Sequence, residues 1–545
     1  METHSSSIYL SSLLLLLSSL SPSVDAYTWP SPQLDALEQV RWEQIGLTAF
    51  LQPCNTFSFD PQRARSGRSN AADWIRTAYH DMATFNIGDG TGGLDGSIRF
   101  EEEQARAENV GDGFKNTFSA IGGTSNRYVS IADAVAVAAV LSFSNCGGPE
   151  IPFRGGRVDA IEPNAPGVPE PQDSLDSHIS SFARQGFTKE EMIGLVACGH
   201  SFGSVQHASF PNIAPEVDDP NNTQSNAHFD TTPATFDNNI ATEYMTGTTV
   251  NPLVVGLNET TNSDKRIFGS DGNVTMRSFA DSPEVFASTC AHLMARMIDT
   301  VPAGTKLTEV VTPLPVKPSN LDLLLVGDKI QLDGQVRFWN MIEDSSRRVR
   351  LLWDDHNGSN SASNNATLRF SRVGTSSGGR NRFAFYSFSP DTGSTGPTIM
   401  ALDAVAGITN MRFAVDSKIE DQGGLGFPVM DDIMFASTSC YRGTRTNVTG
   451  GRIDIAVRND ANPTRIYLER SGRDSTGRPT IQEIDVPIPK ITVPSGSSAY
   501  SIWSYELPTD SASIFASYNI GAEVGGVKSP RSGFRRSIDQ LEACV

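Results

Sequence analysis

The stretch Val311-Thr312-Pro313-Leu314-Pro315-Val316-Lys317-Pro318 divides this chain into two textures and limits what each side can become. Three prolines within it cannot carry a helix onward. Ahead of it, Ala71–Ala83, Ile131–Phe143, Lys189–Gly199 and Pro283–Ile298 place apolar residues at three- and four-residue steps, the helical period. Gly, Pro, Asn and Asp fill the loops between them. Thr188 and Glu191 have the spacing of a capping box, and Phe187 with Met192 that of a hydrophobic staple. Beyond the divide, short alternating runs take over: Gln335–Trp339, Arg348–Leu352, Ala366–Ser371, Arg382–Phe388, Ile453–Arg458 and Thr464–Glu469. Gly, Ser, Asn and Asp separate these runs, which predicts an antiparallel β-sandwich. At 545 residues the chain exceeds one ordinary core. The expected division is a leader at 1–26, a mostly α domain at 27–310, a Pro-rich linker at 311–320 and a sandwich-like all-β domain at 321–545.

A formal charge of −19, from 62 acidic against 43 basic residues, argues against a nucleic-acid partner and against an anionic membrane surface. The apolar stretch around Ile8–Leu17 has the length of a secretory h-region rather than of a membrane span. Val24-Asp25-Ala26 offers a cleavage site before Tyr27. The n-region lacks Lys and Arg, and a membrane anchor is the alternative. The six cysteines, at 54, 146, 198, 290, 440 and 544, are compatible with three disulfides. Sequons begin at Asn221, Asn258, Asn273, Asn357, Asn365 and Asn447. Together these predict a secreted glycoprotein, expected as a monomer.

Two constellations carry chemistry. In Arg76-Thr-Ala-Tyr79-His80-Asp81, a helix puts Arg76 and His80 one turn apart on one face. A neighbouring guanidinium disfavours protonation of the imidazole, and a neutral His beside a fixed cation suits peroxide cleavage. As a bare spacing, the pair is more often a surface feature. The second is His200, at the end of the apolar run Leu195–Gly199, where a neutral imidazole can hold haem iron. Taken alone, a core histidine at a helix end is the commoner case.

The ordered set of motifs from Phe59 to Ile298 resembles the plant, fungal and bacterial haem peroxidase superfamily, and in particular its secreted fungal branch. The distal pattern is similar to Arg76, Tyr79, His80 and Asp81. A Gly-x-Asp-x-Ser calcium loop is similar to Gly93-Leu94-Asp95-Gly96-Ser97, followed by Glu103 and Asn109 at the family's spacing. The resemblance makes His200 the axial ligand, Phe229 its proximal neighbour and Asp271 the carboxylate bonded to it. Asn109 would accept the Nδ1 proton of His80, with Glu103 holding Asn109. Haem b and two Ca²⁺ are the implied cofactors. The distal ion would take Asp81, Gly93, Asp95 and Ser97, and the proximal one Ser201, Asp230, Thr232, Thr235 and Asp237. The resemblance also pairs Cys54 with Cys146. Cys198 with Cys290 and Cys440 with Cys544 is the simple guess for the rest, a buried free thiol at Cys198 the alternative.

Three positions depart from the pattern. Tyr79 stands where the family has mostly Phe or Trp, either as a local electron donor or as an amphipathic core ring. Manganese-oxidising members carry three acids where Ser69, Asp73 and Gln206 stand here, and lignin-degrading members a surface Trp where Leu195 stands. The implied activity is reduction of hydrogen peroxide with one-electron oxidation of small phenol-like donors at the haem edge, near Pro163–Pro171. The alternative is an idle peroxidase-fold scaffold whose β half binds cell-wall polysaccharide. Trp339, Trp353, Phe383, Phe385, Tyr386 and Trp503 would form the sugar face, unless they are core residues. A secreted hydrolase built on Ser, His and Asp is a third, discounted alternative.

Overall fold

The computed structural model describes residues 27–44, 52–60, 62–358, 364–390, 400–445, 447–489, 493–494, 497–508, 517–531, 536–537 and 540–544. The expected leader lies outside them. The first half is helical: α1 Pro32–Glu38, α2 Asn70–Met82, α3 Gly113–Ile121, α4 Ile131–Asn145, α5 Leu175–Arg184, α6 Lys189–Gly199, α7 Asn239–Thr246, α8 Ser263–Phe268, α9 Val274–Asp281 and α10 Pro283–Ile298, single turns aside. Among the described residues, no helix is long and apolar enough to cross a membrane.

Helix α4 is apolar on every face and buried along its length, which places it at the centre of this half against α2. Side-chain caps set the starts. Ser69 accepts from Ala72 N–H at α2, and Ser130 from Asp133 N–H at α4. At α6, Thr188 and Glu191 form the reciprocal capping box their spacing predicts. Disulfide Cys54–Cys146 ties the segment before α2 to the end of α4, and Cys198–Cys290 ties α6 to α10. Cys198 is therefore not a free thiol.

The segment 311–320 corrects the expectation of a linker. Val311 N–H donates to the Phe153 carbonyl at 2.8 Å, and the Val311 carbonyl accepts from Trp42 Nε1 at 2.9 Å. A strand starts inside the segment, Val316–Val326, with Pro318 opposite Val336. Proline forbids helix here, but a strand tolerates it where the register slips, as it does between Ser319 and Asp322.

The second half is all-β and sandwich-like, closed by Cys440–Cys544. Its pairing departs from the purely antiparallel expectation. Ile433–Ala436 runs parallel to Val316–Val326, and Cys440–Thr444 parallel to Glu542–Ala543. One sheet serves two cores. Met434, Ala456 and Ile502 face the first, while Ile433, Phe435, Ile455 and Trp503 face the second. The second core is closed by strands Pro463–Arg473 and Ser517–Val524 of a smaller sheet. The proposed sugar-binding aromatics are spent on packing. Phe383, Phe385, Tyr386 and Trp503 are buried. Trp353 packs on the first core. Trp339 stacks on Phe383 at 5.4 Å and meets Trp42 of the helical half edge-on.

The halves are welded rather than tethered. Arg337, fully buried, pairs with Glu38 and with Glu43 at 3.0 Å, and Lys317 pairs with Glu43 at 2.9 Å. Near the start of α4, the hairpin of Pro463–Arg473 and Pro479–Asp485 docks on the helical half. There Arg127 grips Glu469 with two bonds, and Arg473 donates to the Gly122 and Ser125 carbonyls.

Candidate active site

Helix α2 brings Arg76, Tyr79 and His80 to the wall of a cavity of about 490 Å³, and the end of α6 brings His200 to the same cavity. The volume lies in the range of small-molecule sites. Gly203 lets the two walls approach: with φ at +83°, a Cβ there would fall 2.5 Å from the Ala72 Cβ on α2.

His80 Nδ1 lies 2.6 Å from Asn109 Oδ1, and Asn109 Nδ2 donates to the Glu103 carbonyl at 2.7 Å. The second bond fixes which way the amide points. Asn109 therefore accepts at His80, Nδ1 carries the proton, and Nε2 is left as the basic nitrogen. Glu103 does hold Asn109, but through its backbone; its carboxylate accepts from Asn164 N–H instead. Burial, and then the charge of Arg76, hold His80 down to about 3. Burial likewise lowers Arg76 to about 10, leaving it cationic. Phe114, which sequence reasoning passed over, lies under the Arg76 guanidinium at 4.6 Å and 5.3 Å from the His80 ring.

Tyr79 stacks on Phe182 at 5.9 Å and meets His80 edge-on. Burial pushes its phenol well above the usual range. Leu195 is buried, and Ser69 is occupied as the cap of α2. Asp73 bonds Arg68 at 3.1 Å and Asn116 at 2.7 Å, so the three positions from Ser69 to Gln206 offer one committed carboxylate. Residues 168–171 line the cavity, within the segment expected at its edge, and Gln172 extends that lining by one residue.

The proximal side corrects one assignment. His200 Nδ1 bonds Asp264 Oδ2 at 2.8 Å, not Asp271. Asp264 is buried on α8 and also accepts from Asn251 Nδ2 at 2.8 Å. Asp271 lies at the surface, where its carboxylate caps α9 by accepting from Val274 and Thr275 N–H. The signal for Asp264 was present: Ile267 and Phe268 follow at three and four residues, so a helix turns Asp264 and both apolar side chains to the same interior. With Nδ1 committed, Nε2 is the ring nitrogen left to bind a ligand. Phe229 stacks on His200 at 4.2 Å, with planes 12° apart, and steadies the ring.

The two predicted calcium loops differ in how far they satisfy themselves. Asp81 accepts from Gly96 and Ile98 N–H, and Asp95 accepts from Ser97 N–H and from both approaches of Asn164 Nδ2. Gly93 N–H is held by Thr84. Burial and then the nearby Asp95 push Asp81 well above the carboxylate range. In the proximal loop, Asp230 Oδ1 accepts from Thr232, while Oδ2 is buried with no hydrogen-bond partner. Burial raises Asp230 to about 7. Asp237 accepts from Asn239 N–H, Thr235 N–H bonds the Thr232 carbonyl, and Ser201 donates to the Cys198 carbonyl. Among the described residues, no three His, Cys, Asp or Glu side chains converge as a metal set. Any ion here would lean on hydroxyl and carbonyl oxygens, which suits a hard cation.

The pattern of the peroxidase family matches residues 59–282. This segment is a peroxidase domain. The chain is similar to a WSC domain-containing protein of Arthroderma benhamiae, 35% identical over 376 residues, covering 66% of this chain and 50% of that one. That likeness is longer than the peroxidase domain itself. It is also similar to the putative L-ascorbate peroxidase 6 of Arabidopsis thaliana, 34% identical over 143 residues, 25% of this chain and 42% of that one. The mitochondrial cytochrome c peroxidase of Yarrowia lipolytica is 30% identical over 135 residues, 24% of this chain and 39% of that one. The chain spans about half the length of the curated relatives it matches. Residues 59–282 thus belong with the plant and fungal peroxidases, a family that implies haem binding, and the all-β domain follows them.

Proposed function

We propose that the protein is a secreted haem peroxidase that reduces hydrogen peroxide and oxidises small phenol-like donors one electron at a time. The observation that carries this is the pair of oppositely prepared histidines facing one cavity. His80 is neutral with Nε2 free, and His200 is tied through Nδ1 to a buried carboxylate. The donor set fits haem b: one free imidazole nitrogen on one wall, with a base and a fixed cation on the other. When bound, haem would supply the redox chemistry for peroxide reduction and donor oxidation. His200 Nε2 is the ligand for that iron, and Asp264 raises its basicity. His80 Nε2 takes a proton from one peroxide oxygen and delivers it to the other, which leaves as water. The Arg76 guanidinium stabilises the negative charge that grows on the departing oxygen. Residues 168–172, at the edge of the cavity, would meet small donors.

Calcium in the two loops is part of this reading, supported by the unpartnered Asp230 oxygen and the buried Asp81 and Asp95. Secretion is supported by the signal-like start and by the three disulfides. Asn221, Asn258, Asn357, Asn365 and Asn447 are exposed, as glycan acceptors must be. The test is an absorption spectrum of the purified protein with one equivalent of peroxide. A Soret band that shifts with peroxide and returns with a phenol is expected. No Soret band after reconstitution with haem overturns the reading and leaves the scaffold alternative.

A further inference from the structure

On the distal side of the helical half, where the 463–485 hairpin docks, lies a second cavity of about 550 Å³. Phe118, Ile121, Ile131 and Ala134, from α3 and α4, give it an apolar floor. Arg473, Ser475 and Thr476, from the turn of the hairpin, close its far side. Ligand sites favour such domain junctions, and this one exists only because the halves are docked.

Its charge is unbalanced. Arg99, Lys115 and Arg473 all line it, against the single carboxylate of Glu101. The guanidiniums are held by neutral oxygens alone. Arg99 donates to the Gly96, Ala160 and Thr476 carbonyls, and Arg473 to Gly122, Ser125 and Gly477. Among the described residues, no carboxylate pairs directly with Lys115 or Arg473, which are exposed, and the half-buried Arg99 feels Asp159, Asp81 and Asp95 only at longer range. Cations in a partly dry cleft gain most from an anion that brings its own charge and little water.

We propose that this cleft binds a small organic carboxylate with an aromatic or branched apolar body. The carboxylate faces Lys115, Arg99 and Arg473, and the body lies on Phe118, which is itself backed by the buried Ile121. A neutral sugar would leave the charge uncompensated, and a bare inorganic anion would gain nothing from the apolar floor. Arg99 also connects the cleft to the first site. It holds the Gly96 carbonyl, and Gly96 N–H bonds Asp81, the residue after His80.

The test is calorimetry on the full chain, with 3-phenylpropanoate as the probe; it carries no phenol and so is no peroxidase donor. Its amide and inorganic phosphate serve as controls. Lys115→Glu and Ser475→Trp alter exposed positions outside the haem cavity, the first reversing a charge and the second filling the cleft. Saturable one-to-one binding is expected, about tenfold weaker for the amide and for Lys115→Glu, and lost in Ser475→Trp. No saturable binding overturns the proposal. So does binding unchanged in both variants, which would place the probe elsewhere, or phosphate binding as tightly as the acid. None of these outcomes depends on whether the protein reacts with peroxide.

Discussion

His200 and Asp264, 64 positions apart, meet at 2.8 Å through Nδ1 and Oδ2, with Asp264 only 1% exposed. A carboxylate so placed makes the imidazole a stronger donor to iron and fixes its tautomer. Asp264→Asn removes the charge and leaves one amide oxygen to accept from both His200 and Asn251. Haem affinity should fall by about 10–100-fold and the reduction potential should rise. Asp271→Asn, which retains a helix-capping acceptor, should change neither. Haem titration and potentiometry on the two variants separate them.

The low proton affinity of His80 sets the acid limit of the reaction. With His80 held to about 3, the rate with peroxide should be flat from neutral pH to about 4 and then fall. Arg76→Leu removes the smaller cause and keeps the larger, burial. The midpoint should rise without reaching the usual 6.5, and the rate should drop about 10²–10³-fold for loss of charge stabilisation. Stopped-flow traces across pH measure both. Stability follows the same group. Between about 6.5 and 3 the unfolded chain holds a proton at His80 that the folded chain does not, so acidification across that window weakens the fold. His80→Gln should flatten that part of the pH–stability curve.

The proximal loop should respond to chelation. Asp230 Oδ2 is buried and unpartnered, which is costly unless a cation sits against it. Removing calcium should lower the melting temperature, and restoring it at about 100 times its Kd should return roughly 2.7 kcal/mol. Asp230→Ala should abolish that recovery. A melting temperature indifferent to both chelator and calcium would count against an ion in either loop.

Arg337 is the test of how firmly the halves are joined. It is fully buried between Glu38 and Glu43, so Arg337→Ala leaves the two acids with the Lys317 cation and, at Glu38, the Tyr27 hydroxyl. The expected loss is about 3–5 kcal/mol, read by denaturant titration of the whole protein. Arg465, with Glu483, Asp485 and Glu523 around it in solvent, should cost far less when replaced, because water screens these pairs. Polysaccharide binding by the β half is likewise best sought with the full chain, because the isolated half would expose Arg337 and Lys317.

What the sequence made legible was local. Arg76 and His80 could be read from one helical turn, and the start of α6 from Thr188 and Glu191, because each signal lies within a few residues. Asp264 was missed because the choice between two aspartates seven positions apart depends on which one a folded core swallows. Asp271 has the glycine-flanked look of a site, yet such flanks also mark an exposed cap. The Pro-rich stretch looked like a linker because proline excludes helix; that Trp42 and Phe153 would clasp Val311 is a long-range fact. Trp503 and Phe385 could not be placed in a core before it was known that one sheet is covered on both faces.

Glu38 and Glu43 precede Arg337 by about 300 positions. At ordinary synthesis rates of about 5–20 residues per second, these acids wait on the order of 15–60 s for the cation that neutralises them. The start of the nascent helical half must therefore stay solvated until the first β-hairpin has been made. A chain stopped near residue 310 keeps the peroxidase motifs and the packing of Leu37 and Trp42, but lacks both cations that face these buried acids.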